Sequence, residues 1–115
     1  MAATPSNLLT LTSQLMGDAQ ARLRQEAMTS TNLDTIDKLI AQRDAIDAQQ
    51  RRIMRANLAT IDNDPTIQRN INELTQLASE LAAGIQEMRN ATSAIKVATR
   101  VITVVEKILP LFGIA

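Results

Sequence analysis

Apolar residues recur in alternating steps of three and four along most of this chain, and the longest such run lies in its second half. Ile67, Ile71, Leu74, Ala78, Leu81, Ile85, Met88, Thr92, Ile95, Thr99 and Ile102 hold one phase. That spacing gathers the side chains on a single helical face, the pattern of a coiled coil or helix bundle. It predicts a long helix over about 65–109. Asp64 offers a side-chain cap, and Pro65 fills the first helical position, where its missing N–H costs nothing. Pro110 is expected to stop the helix, with Gly113 as a second break. At about 1.5 Å per residue, such a helix would run roughly 65 Å.

Two shorter stripes precede it. Leu8, Leu11, Leu15, Ala19 and Leu23 predict a first helix over about 5–28, opened by Thr4 and Pro5. Leu39, Ile46 and Ile53, flanked by Ile36, Ile40, Met54 and Ile61, predict a second over about 32–61. The turn formers Thr29, Ser30, Thr31 and Asn32 separate the two, and Thr31 with Asp34 resembles a capping box. Both connections are short, so neighbouring helices are expected to run antiparallel. The expected fold is all-α: one domain over residues 1–115, built as an antiparallel bundle of three long helices with coiled-coil-like packing. An apolar tail over 110–115 follows. A bend near Asn90–Ser93 would turn the third helix into a fourth.

Polar positions refine this picture. Arg43, Gln50 and Asn57 recur every seven residues beside the second stripe. Such residues either fix the register of a bundle or sit on its flank and reach solvent. Along the same helix, Asp34, Asp37, Asp44 and Asp47 occupy the first half, and Arg51, Arg52 and Arg55 the second. Acids near the start and bases near the end suit the helix dipole, so a solvated, salt-bridged face accounts for them without a carboxylate active site. Gly17 inside the first helix reads either as a close helix approach or as a weakened turn costing about 1 kcal/mol.

Composition narrows the chemistry. With neither cysteine nor histidine, the chain is excluded from disulfides, from zinc sites with those ligands and from thiol or imidazole catalysis. Asp62 and Glu73 match the outer spacing of a calcium loop, but Ile67 stands where that loop needs glycine. No catalytic, cofactor-binding or metal residues are therefore expected, and no small-molecule substrate. Acidic and basic residues balance at twelve each, and one aromatic residue leaves no stacking platform, so nucleic acid is not an expected partner. The first residues lack the basic region and apolar run of a signal peptide, and no window has the length of a membrane span. A cytoplasmic location is expected, with signal-less secretion left open.

After Asn90 the apolar set widens. A continuous third helix would outrun the second, leaving its most apolar part, Ile95, Ala98, Val101, Ile102, Val105, Ile108 and Leu109, with Leu111 and Phe112 beyond, past the end of the bundle. Arg89, Lys96, Arg100 and Lys107 form a basic lane along it. A surface this apolar is rarely left bare. The expected function is a non-catalytic helical interaction or assembly protein that binds a partner helix, or a second copy of itself, through this segment. The alternative is a membrane-active or secreted helical subunit whose segment over about 89–115 engages lipid.

Overall fold

The computed structural model describes residues 4–56 and 58–114, and every described element is helical. The elements are α1 (Pro5–Thr29), α2 (Leu33–Met54), α3 (Leu58–Ile61), α4 (Pro65–Arg69), α5 (Ile71–Ile85) and α6 (Ala91–Leu111). No strand occurs among the described residues.

Side-chain caps set most helix starts. Thr4 Oγ1 accepts from the Asn7 N–H at 3.2 Å, while the Asp62 carboxylate accepts from the Ser6 N–H at 2.8 Å and its hydroxyl at 2.7 Å. Two free donors of α1 are thus satisfied, one of them from fifty-six residues away. The cap of α2 is Asn32, accepting from Thr35 N–H at 3.1 Å, rather than the Thr31–Asp34 pair. Asp64 caps α4 through Thr66 and Ile67 N–H groups at 2.9 and 3.2 Å.

The expected third helix is divided, and this is the main correction. α5 ends at Ile85, residues 86–90 turn, and α6 begins under a reciprocal cap. Asn90 Oδ1 accepts from the Ser93 N–H at 2.8 Å, and Ser93 Oγ accepts from the Asn90 N–H at 3.0 Å. That capping box holds Asn90 in extended backbone, which a continuing helix cannot contain. A 65 Å rod also has no place in a molecule whose longest extent is 49 Å. The second helix is divided as well. Arg55 N–H turns back to the Arg52 carbonyl at 3.3 Å, and α3 follows as a separate turn. Pro110 lies inside α6 rather than after it. The stop is at Gly113, whose φ of 73° allows Ile114 N–H to reach Leu109 O and Gly113 N–H to reach Pro110 O, both at 2.9 Å. This is a Schellman closure, which favours glycine because the left-handed backbone penalises a Cβ.

α1, α2, α5 and α6 therefore form two helical hairpins. Leu9 shares a recess with Ile53, and Leu23 shares one with Leu39, so α1 and α2 run antiparallel. Glu87 pairs with Arg100 and Asn70 with Leu111, so α5 and α6 do too. Gln42 meets Ile95 and Gln49 meets Ile102, which makes α2 and α6 parallel. α1 packs on α2, α5 and α6, and the segment bearing α3 and α4 connects the hairpins.

The core forms along the facing sides of both hairpins. On α5 the expected seam is buried at Leu74, Ala78, Leu81 and Ile85, and Met88 in the turn continues it. On α6 the buried set is Ala94, Val97, Ala98, Val101, Val105, Ile108 and Leu109, within which Ala94, Ala98, Val101, Val105 and Ile108 keep the threes and fours one residue out of the expected phase. Thr92 and Thr99 are exposed, and Ile95 and Ile102 only half-buried. The bend at Asn90 resets the phase.

Candidate interaction surface

The C-terminal segment that the heptad pattern offers as a contact surface is largely the centre of the fold. Ala98, Val101, Val105, Ile108, Leu109 and Phe112 are buried, and Ile95, Ile102 and Leu111 half-buried. Once α6 folds back there is no overhang, and these side chains face α1, α2 and α5 instead of a partner. The basic lane is on the outside: Arg89, Lys96, Arg100 and Lys107 are exposed, and Arg100 pairs with Glu87 at 2.9 Å. Glu80, Glu87, Arg100 and Lys107 rim a shallow groove of about 420 Å³ between α5 and α6, floored by Gly84 and Val101.

Between α2 and α6 two polar contacts accompany the apolar ones, from Gln42 and Gln49, which the apolar stripe does not single out. Gln42 Nε2 donates to Ile95 O and Thr99 Oγ1, both at 3.0 Å. Seven residues on, Gln49 Nε2 donates to Ile102 O and Glu106 Oε1, again at 3.0 Å. The signal was present: Leu39, Gln42, Ile46, Gln49 and Ile53 are spaced 3-4-3-4, so the glutamines occupy alternate seam positions. The Gln49 hydrogen bond holds the Glu106 carboxyl below its ordinary pKa; burial opposes it, and the Arg52 guanidinium adds to the lowering. Gln50, from the sevenfold series with Arg43, donates to Ser13 O at 2.8 Å and accepts from Gln20 at 2.8 Å. Asn57, the last of that series, lies outside the described residues. A Cβ at Gly17 would meet Gln50 Nε2 at 3.8 Å, ordinary contact, so no tight helix approach demands that glycine.

The large hydrophobic side chains left in solvent lie elsewhere. Among the described residues they are Leu11, Met28, Leu33, Ile40, Met54 and Leu58, all on α1, α2 or α3 and none on α5 or α6. Met28, Leu33 and Met54 are each 76% exposed. α2 fully buries only Leu39, Ile46, Gln49 and Ile53, and one side of it is open to solvent. Its open side carries Leu33, Asp37, Ala41, Asp44, Ala48 and Arg51, ending at Arg55. Asp47 pairs with Arg51 at 3.0 Å and Arg52 with Glu106 at 3.0 Å, whereas Asp37 and Arg55 make no ion pair among the described residues.

Among the described residues, no three His, Cys, Asp or Glu side chains gather to hold a metal ion, and no helix is long and apolar enough to cross a membrane. Comparison with protein-family models, with curated proteins and with solved structures finds no match for this chain.

Proposed function

We propose that the protein is a non-catalytic helical interaction module, and that its contact surface is the outer side of the α1–α2 hairpin. The observation that carries this reading is the distribution of exposed large hydrophobics, all of which fall on α1, α2 and α3. The C-terminal hairpin encloses its own apolar residues. Exposed methionines and leucines around an open helix face suit a partner helix, because unbranched side chains adapt to varied surfaces. A lipid surface fits this arrangement less well, since the apolar residues beside the basic lane point inward.

A photo-crosslinking residue at Ala41 or Ala48, on the open side of α2, tests the reading against one at Ala83 on α5. Cross-linking in cells that express the chain should yield a defined adduct from the α2 positions and none from Ala83. Adducts from Ala83 alone, or from no position, would overturn it.

A further inference from the structure

Resting on that reading, we infer that the partner of the α2 face is a second copy of this chain, with the two α2 helices packed antiparallel. The open side of α2 is charge-sorted, acidic at Asp37 and Asp44 and basic at Arg51 and Arg55. A parallel copy would set acid against acid and base against base. A copy turned about a twofold axis through the level of Ile46 does the reverse, and such self-complementarity is what a twofold interface requires.

The register then follows from spacing on α2. Asp37 comes level with Arg55 of the second copy, and each of these groups lacks an ion pair within its own chain among the described residues. Asp44 comes level with Ala48 of the second copy, next to its Arg51. Ala41 and Ala48 carry only methyl groups, so the helix axes can approach closely at the centre. Leu33, 76% exposed, lies one turn before Asp37 and so adds apolar surface at each end of the contact. The charges thus choose the orientation, and Leu33 adds apolar surface at its ends. A single helix pair is at the small end of specific interfaces, so association appears as mass rising with concentration, and it weakens as salt screens the charges.

The test is sedimentation velocity on the whole chain across a concentration series at low salt. The wild type should pass from monomer to dimer. Asp37→Arg should abolish the dimer by facing Arg55, and Arg55→Asp should abolish it by facing Asp37. Mixing these two single variants should restore a dimer, because each then presents the charge the other lacks. All positions are exposed, and an unchanged helical spectrum confirms that the variants fold. A wild type that stays monomeric throughout overturns the second copy. If α2 cross-links still form, to a different protein, the interaction reading survives without it. A dimer indifferent to both variants, or a mixture that stays monomeric, also overturns the proposed pairing.

Discussion

Asn90 decides where a nearly continuous apolar seam becomes two helices. Its carboxamide takes the Ser93 N–H, and the Ser93 hydroxyl returns the favour to Asn90 N–H and to Arg89 N–H at 2.9 Å. Asn90→Ala should lower stability by about 1 kcal/mol, the usual cost of losing an N-cap. Asn90→Asp, which keeps the accepting oxygen, should lie close to the wild type in urea denaturation. Equal losses for both would show that the amide rather than the cap matters. Glu106 offers a second check at this scale. Its carboxyl is held below the ordinary glutamate pKa first by Gln49 and then by Arg52. A depressed pKa stabilises the fold above the unfolded-state value, and that contribution is lost as pH falls through the folded-state value. The stability difference between wild type and Glu106→Gln should therefore be present at neutral pH and vanish in acid. Gln49→Ala should move the Glu106 titration upward in a carbon-detected NMR experiment.

At the level of elements, the most informative contact is the glutamine seam between α2 and α6. The Oε1 atoms of Gln42 and Gln49 are buried without a protein partner among the described residues, although both Nε2 groups are well placed. Buried polar groups half satisfied in this way weaken a contact while fixing its register. Replacing both by leucine should leave stability unchanged or raise it by about 1 kcal/mol, since unsatisfied oxygens disappear and apolar contact grows. The cost should appear in uniqueness: spin labels on α2 and α6 should report a broadened distance distribution. A single sharp distance together with a large loss of stability would show that the amides hold the bundle by energy instead. This seam also shows what the heptad pattern could and could not disclose. Leu39, Ile46 and Ile53 announce a buried stripe by their chemistry. Gln42 and Gln49 complete the same stripe but look solvent-facing, because glutamine is usually exposed.

For the whole molecule, the helical class and much of the core were legible, since apolar 3-4 spacing reports a buried face whichever element it packs against. Leu74, Ala78, Leu81 and Ile85 belong to that legible part. The path of the chain was not, because the apolar spacing in the sequence continues across the turn at Asn90 and so looks the same as that of a helix that runs straight. Thr92 and Ser93 stand where a continuous helix would want seam and flank, yet Ser93 serves the cap. The burial of Val101, Val105 and Ile108 was hidden for the same reason: the segment richest in apolar residues is the one most needed inside. Val105 separates the two outcomes. Its side chain is 0% exposed in α6, among residues that a straight helix would have left outside the bundle. In a folded-back α6, Val105→Lys buries an ammonium without a partner, costing several kcal/mol, and should unfold the monomer. Val104→Lys, one residue away but half-buried on the outer side, should cost far less. Circular dichroism and sedimentation on the pair decide the matter. A Val105→Lys protein that keeps its helical spectrum and melting temperature while losing mass would mean that α6 packs against another chain rather than its own.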